Sequence, residues 1–282
     1  MAEPTRDLAD SRGFVCTLAL SGSVKPQYSE CMLALARFND SQNLKRVEYK
    51  QEHGLFIETA RDEAVMHALD PRGDRTEAAY DWLLMIDADA TFPQDTLWRL
   101  LYRAYIEQPN AGVVGAYSQL KPYPHVPTID TGTGTWEEHY PGEGMLQVIR
   151  TGGHCLLIKL GIFQKTGPPP WFRTRHVQQP IRAMRDLDNF ARTKLSGKNP
   201  FREHPEWETL FEDAMRSSTA REPFVGEDSA FFDRCRAHNV PCYVDTDLVT
   251  GHVSDKVIQP MDFRDAVRKR EQVQRAALGV YV

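Results

Sequence analysis

Trp-Leu-Leu-Met-Ile-Asp-Ala-Asp, residues 82–89, is the stretch of sequence that decides the fold. Its five leading apolar residues have no helical spacing and leave no polar face, which predicts a strand buried on both sides of a parallel sheet. Asp87 and Asp89 end the run, and open α/β sheets bind their ligands outside the carboxyl ends of the strands. Because strand side chains alternate, both carboxylates can point the same way, and the small Ala88 between them lets a ligand approach.

Two carboxylates at one strand end favour a hard divalent cation. Mg²⁺ or Mn²⁺ bound by one or two carboxylates commonly takes its other ligands from substrate phosphates and water. The alternative is that one aspartate only caps the next helix, because Thr91-Phe92-Pro93 has the pattern of a helix entry. From this motif we predict a metal site.

The composition fits one large cytoplasmic domain. The chain has 282 residues, of which 41% are hydrophobic, and we expect a single domain over residues 1–282 that carries an insertion. Apolar stretches such as residues 14–20 reach seven residues at most, too few for a membrane span, and an acidic N-terminus is a poor signal peptide. We therefore expect no membrane anchor.

Cysteine spacing and net charge exclude further classes. The five cysteines are scattered and form no C-x-x-C pair, which disfavours a disulfide framework or a zinc site. The net charge of −5 argues against a protein that coats nucleic acid by charge alone.

The N-terminal third has the order of a nucleotide-binding βαβ unit. A buried strand over residues 14–20 ends at Ser21-Gly22-Ser23, and a helix is predicted from about Ser29, its N-cap, to Asn39. The small residues after the strand either contact a phosphate or base or form an ordinary connection.

A second strand at residues 47–49 precedes a helix over Ile57–Leu69, whose apolar stripe faces the sheet. Arg61 lies beside that stripe in the first part of the helix. A buried arginine needs an anionic partner, which is either a ligand diphosphate or a nearby Asp or Glu in a structural ion pair.

The middle of the chain supplies loops suited to binding. An amphipathic helix over residues 94–107 and a strand over 111–116 precede a long loop, 118–144, of the length typical of lids and binding loops. Strands at 146–149 and 155–158 flank Gly152-Gly153-His154, whose glycines would let the backbone approach a ligand. We expect His154 to be a hydrogen-bonded core residue; the alternative is a polar contact with substrate.

Residues 168–222 are predicted to be an insertion or lid. Within 172–204, eight Lys or Arg residues stand against three Asp or Glu. A solvated charged face is the favoured interpretation of this run, and recognition of an acidic acceptor is the alternative.

The last part of the chain contributes two polar motifs. Glu227-Asp228 opens a helix, where Asp228 is suited to an N-cap role. A strand over Tyr243–Val249 ends at Gly251-His252, and a C-terminal helix is predicted within 260–282.

Five motifs, in this order, resemble the nucleotide-sugar-dependent glycosyltransferases of the GT-A fold, the DxD-containing, family-2-like type. They are Ala60-Arg61-Asp62-Glu63-Ala64, Asp87-Ala88-Asp89, the block from Gly152-Gly153 to Phe163-x-x-x-Gly167, Glu227-Asp228 and Gly251-His252. The resemblance covers about residues 14–255. It implies a Rossmann-like, mainly parallel sheet flanked by helices, with an inserted acceptor-side segment.

The resemblance also implies roles for single residues. The donor is a nucleoside-diphosphate sugar, a UDP-sugar as first choice, and Mn²⁺ or Mg²⁺ bridges its diphosphate. Asp89 and His252, with Asp87, would bind the metal, and Asp228, or less favourably Glu227, would be the base toward the acceptor hydroxyl. The implied contacts with the nucleotide sugar are Ser21, Gly22, Arg61, Asp87, Ala88, Asp89 and Gly153. Two features depart from the family pattern: its usual Arg-Asn pair is Arg61-Asp62 here, and the segment between Trp171 and Glu227 is longer.

Two rival functions and one acceptor remain open at this point. A nucleotidyltransferase would use the same type of fold and aspartate pair, and a non-catalytic module would bind the nucleotide sugar without turnover. The basic segment raises DNA as an acceptor, through a hydroxylated base reached by base flipping or on a single strand. The net negative charge and the lack of a known DNA-binding motif argue against DNA.

Overall fold

The computed structural model describes residues 8–19, 24–44, 46–52, 56–70, 80–120, 126–172, 226–253 and 257–258. Of the sequence predictions, the loop residues Ser21 and Gly22, nearly all of the 168–222 insertion and the helix within 260–282 lie outside this part of the chain. Those predictions, and the single domain over 1–282, stay predictions.

The order of elements alternates between strands and helices through the first half. The strands are β1 (Gly13–Leu18), β2 (Val47–Glu52), β3 (Trp82–Asp87), β4 (Ala90–Thr91), β5 (Val113–Tyr117), β6 (Ile129–Asp130), β7 (Met145–Val148), β8 (Arg150–Thr151), β9 (Cys155–Lys159), β10 (Cys242–Val249), β11 (Gly251–Val253) and β12 (Val257–Ile258). The helices are α1 (Pro26–Ser41), α2 (Ile57–Leu69), α3 (Thr96–Tyr102), α4 (Ile162–Thr166) and α5 (Glu227–Ala237), with a π-helical turn over Arg103–Glu107 after α3.

Seven strands form the central sheet in the order β2-β1-β3-β9-β5-β10-β7. The pairs β1–β2, β1–β3 and β5–β10 are parallel, whereas β9 is antiparallel to both its neighbours and β7 is antiparallel to β10. Five of the seven strands therefore run the same way. The predicted class, a mainly parallel α/β sheet flanked by helices, is confirmed.

β3 lies between two hydrophobic layers, one on each face of the sheet, as its apolar run predicts. Leu83 and Met85 pack in the layer that contains Ala64 and Val65 of α2, while Trp82, Leu84 and Ile86 pack in the opposite layer with α1 and α3. A Cβ on Gly13 of β1 would lie 1.9 Å from the Trp82 indole, so only glycine fits beside that ring.

Helix ends show where the sequence predictions were right and wrong. The predicted bounds of α2 are confirmed. α1 begins at Pro26, so Ser29 lies inside the helix and its predicted N-cap role was wrong, because proline fixes a helical φ at the first turn. No helix among the described residues is long and apolar enough to cross a membrane.

Candidate functional site

The site is built on the turn that follows β3. Asp87 donates its backbone N–H to the His154 carbonyl (3.0 Å), and Ala88 donates its own to the Leu18 carbonyl at the end of β1 (3.0 Å). Lys25, just before α1, donates its backbone N–H to the Ala88 carbonyl (3.3 Å). These bonds hold the Asp87-Ala88-Asp89 turn at the carboxyl ends of two parallel strands, where α/β sheets bind ligands.

Arg61 is buried beneath this turn. Its side chain is 2% exposed, its Nη1 donates to the Gly153 carbonyl (2.8 Å), and its Nη2 donates to Asp87 Oδ1 (3.2 Å). Nε lies 3.8 Å from Glu227 Oε1, and the guanidinium carbon is 5.7 Å from the centre of the Phe172 ring. The structure thus shows the ion-pair alternative for Arg61. Contact with a donor diphosphate stays a prediction.

Gly153 lies against the guanidinium of Arg61. A Cβ at this position would lie 2.4 Å from Arg61 Nη1, so the buried guanidinium would have to move to admit it. Its N–H donates to Asp228 Oδ2 (3.2 Å), so one residue connects the guanidinium to the carboxylate of α5. The predicted contact of Gly153 with the nucleotide sugar stays a prediction.

Asp89 and His252 come together through a short antiparallel pairing. β11 pairs with β4 so that His252 lies opposite Ala90, and Val253 donates its N–H to the Asp89 carbonyl (2.7 Å). His252 Nδ1 lies 3.8 Å from Asp89 Oδ1. The sequence placed these two residues in one metal site, and they are indeed adjacent.

His154 completes a group that can hold a metal ion. One ligand atom each from Asp89, His154 and His252 lie within 4.8 Å of one another, and the two imidazole centroids are 3.7 Å apart. Asp87, the third ligand in the sequence prediction, is not in this group; its carboxylate is paired with Arg61. His154 is buried and hydrogen-bonded, as expected, but its place beside Asp89 and His252 was missed. The sequence feature that could have indicated this place is the position of His154 directly before the buried strand β9.

The two acidic residues of α5 differ in their surroundings. Gly226 is the N-cap of this helix, so the predicted N-cap role of Asp228 was wrong. Asp228 Oδ1 accepts the N–H of Ser229 (2.7 Å) while Oδ2 accepts that of Gly153. Burial raises the pKa of Glu227 above its ordinary value, although the nearby Arg61 acts in the opposite direction. A buried carboxyl with a raised pKa is a better proton acceptor when ionised.

Asp62, which follows Arg61 in α2, has a structural partner. Its Oδ1 accepts the backbone N–H groups of both Trp171 (2.8 Å) and Phe172 (3.1 Å). Burial raises the pKa of the Asp62 carboxyl, against the effect of these two bonds. α2 therefore presents Arg61 to the site and fixes the point from which the basic segment continues. The basic side chains themselves lie outside the described residues.

Comparisons with known proteins return no assignment at the level of sequence. No family model matches the chain, and no curated protein matches it. Among solved structures, it is similar to a glycosyltransferase involved in the glycosylation of the major capsid of PBCV-1, at 12% identity over 56% of this chain and 69% of that chain, with a TM-score of 0.30.

Two further solved structures are similar at the same low level. A 4-diphosphocytidyl-2C-methyl-D-erythritol synthase is 13% identical over 56% of this chain and 79% of its own, with a TM-score of 0.29. S. aureus TarS 1-349 is 10% identical over 91% of this chain and 63% of its own, with a TM-score of 0.39. TM-scores this low assign neither a fold family nor a function.

Proposed function

We propose that this chain is a glycosyltransferase of the GT-A type, which moves a sugar from a nucleoside-diphosphate sugar to an acceptor hydroxyl. The observation that carries the proposal is the grouping of Asp89, His154 and His252 within 4.8 Å, next to Asp87 at the end of β3. Arg61, Gly153 and Asp228 lie at the same sheet edge, since Arg61 and Asp228 both hydrogen-bond to Gly153 and Arg61 also bonds to Asp87.

The donor set fits a divalent cation. Asp89 supplies a carboxylate oxygen and His252 an imidazole nitrogen, which are ligands that Mn²⁺ accepts, and Mg²⁺ is the second choice. A cation bound there would neutralise the charge that develops on the departing nucleoside diphosphate.

The remaining residues position the donor and remove a proton. Asp87 would bind the nucleotide ribose, with Arg61 fixing the orientation of its carboxylate, and Ala88 would leave room for the nucleotide. Asp228 would accept the proton of the acceptor hydroxyl, a contribution worth about 10²–10⁴-fold in rate. Glu227, whose pKa is raised by burial, is the other candidate base, and comparison of Asp228→Asn with Glu227→Gln separates the two roles.

The basic segment bears on the choice of acceptor. The eight basic residues of segment 172–204 suggest an anionic acceptor, and a hydroxylated base in DNA offers both phosphates and a nucleophilic oxygen. If this acceptor is correct, labelled sugar is transferred only to DNA that carries the hydroxylated base, and the transfer falls steeply as the salt concentration rises. Transfer of label to peptide or glycan alone excludes DNA.

The test is product analysis with the full chain, Mn²⁺, a panel of sugar nucleotides and several acceptors. We expect free nucleoside diphosphate and a glycosylated acceptor, and we expect Asp89→Ala to abolish both while leaving the circular dichroism spectrum unchanged. Asp40→Ala, which removes an exposed carboxylate of α1, is the matched control and should stay active. Pyrophosphate release would instead indicate a nucleotidyltransferase, and donor binding without turnover would indicate a binding module. A fully active Asp89→Ala that is insensitive to chelators contradicts the proposal.

A further inference from the structure

The imidazole of His154 is held in one tautomer. Its Nε2 lies 3.1 Å from the Gly251 carbonyl oxygen, and since a carbonyl only accepts, Nε2 must carry the hydrogen. Neutral imidazole has one N–H, so Nδ1 then presents a lone pair. This is the arrangement found in metal-binding histidines, where a backbone carbonyl or carboxylate fixes the nitrogen that does not bind the metal.

The Nδ1 atom of His154 is buried without a hydrogen bond. The side chain is 4% exposed, and Nδ1 has no hydrogen-bond partner within the described part of the chain. A buried polar atom of this kind is costly unless something pairs with it.

The surroundings of Nδ1 favour a cation as that partner. Asp87 Oδ2 lies 3.8 Å from it, and the ligand atoms of Asp89 and His252 lie within 4.8 Å. A lone pair that faces carboxylate oxygens is repelled by them, whereas a cation among these groups attracts all of them.

One oxygen of the Asp87 carboxylate is already bonded to protein. Its Oδ1 accepts a hydrogen bond from the buried guanidinium of Arg61, whose other nitrogen is tied to the Gly153 carbonyl. A metal contact of Asp87 stays a prediction, and His154 Nδ1 is added to the candidate ligands.

We infer that His154 Nδ1 is a third protein ligand of the cation, and that the paired imidazoles make the site select Mn²⁺ over Mg²⁺. Mg²⁺ requires a near-octahedral set of oxygen ligands and water. Mn²⁺ also takes carboxylate oxygen, but it belongs to the first-row series of metals that bind mixed nitrogen and oxygen sites. Mn²⁺ is the weakest binder of the first-row series, so Co²⁺ should bind more tightly still. This inference rests on the metal site of the proposed function, but not on sugar transfer.

The test measures metal binding alone, without nucleotide or acceptor. The full-length protein is titrated with Mn²⁺ and followed by electron paramagnetic resonance, and Mg²⁺ is then added as a competitor. We expect His154→Ala to weaken Mn²⁺ binding by more than about tenfold, since even partners outside the ligand shell change affinity by 10–100-fold. His139→Ala, in the 131–144 loop, is the matched control and should bind like the wild type.

A spectroscopic measurement separates ligation from a structural role. Electron spin echo spectra of bound Mn²⁺ should show nitrogen couplings from two imidazoles in the wild type and from one in His154→Ala or His252→Ala. If His154→Ala does not fold, His154→Asn, which keeps a side-chain donor toward Gly251, takes its place.

The inference is overturned by unchanged Mn²⁺ affinity and nitrogen coupling in the folded His154 variant, or by Mg²⁺ binding as tight as Mn²⁺ binding. Failure of the proposed function looks different: the protein would bind Mn²⁺ through both histidines and still transfer no sugar.

Discussion

Replacement of Arg61 by methionine removes the central charge of the site while keeping much of the side-chain volume. The guanidinium is 2% exposed and holds Asp87 at 3.2 Å and the Gly153 carbonyl at 2.8 Å. Breaking a buried ion pair by removing one partner costs about 3–5 kcal/mol. Because the Asp87 and Glu227 side chains are 26% and 19% exposed, water can partly solvate the charges left behind. We therefore expect Arg61→Met to lower the free energy of unfolding by about 3 kcal/mol, the lower end of this range.

That loss is measurable by thermal unfolding. For a protein of this size, about 1 kcal/mol shifts the melting temperature by about 2–4 °C, so Arg61→Met should melt about 6–12 °C lower. Arg99→Met is the matched control. The Arg99 side chain is 30% exposed and lies 3.8 Å from Asp245, which would still be paired with Arg103 in this variant. We expect Arg99→Met to lower the free energy of unfolding by about 1 kcal/mol or less. If the melting temperature of Arg61→Met falls no further below that of the wild type than the melting temperature of Arg99→Met does, a central structural role for Arg61 is refuted.

Three further changes test the surroundings of the site. Gly153→Ala should destabilise the fold and lower any metal-dependent activity, because the new methyl would lie 2.4 Å from Arg61 Nη1, and chemical denaturation measures the loss. Asp62→Leu removes the acceptor of the backbone N–H groups of Trp171 and Phe172, so hydrogen exchange at these two amides should become faster than in Asp62→Asn, which keeps the acceptor oxygen. Burial alone would raise the pKa of Glu137, but hydrogen bonds from its own loop lower it from 4.5 to about 2. A lowered pKa stabilises the folded state above pH 4.5 and loses that effect as the pH falls toward 2, so Glu137→Gln should flatten the acid limb of stability against pH. An identical acid limb in wild type and variant contradicts this assignment.

The elements that the sequence predicted well are those with only one way to bury their side chains. The run Trp82–Ile86 has no polar face, so it must be covered on both sides, and α2 has a stripe of small apolar residues that fits a sheet. Both were placed correctly. The adjacency of Asp89 and His252 followed from a resemblance in motif order rather than from periodicity.

Strand direction and partner choice were beyond the sequence pattern. An apolar run reports burial, not direction, so nothing in residues 155–158 distinguished an antiparallel β9 from a parallel one. The Arg61 contacts depend on residues 26 and 92 positions away, and the His154 contact with Gly251 spans 97. Such pairings are set by the folded sheet and have no local signal. For the same reason, no sequence feature indicated that Gly153 contacts Arg61 and Asp228.

The central claim, a metal and nucleoside-diphosphate site at the end of β3, is tested most directly by crystals grown with Mn²⁺ and a nucleoside diphosphate. Anomalous scattering locates the metal without any assumption about activity. We expect one strong Mn²⁺ peak among Asp89, His154 and His252, with the diphosphate bound to the metal and the ribose next to Asp87. A diphosphate bound at another face of the sheet, or a Mn²⁺ peak that none of these three side chains contacts, would contradict the claim.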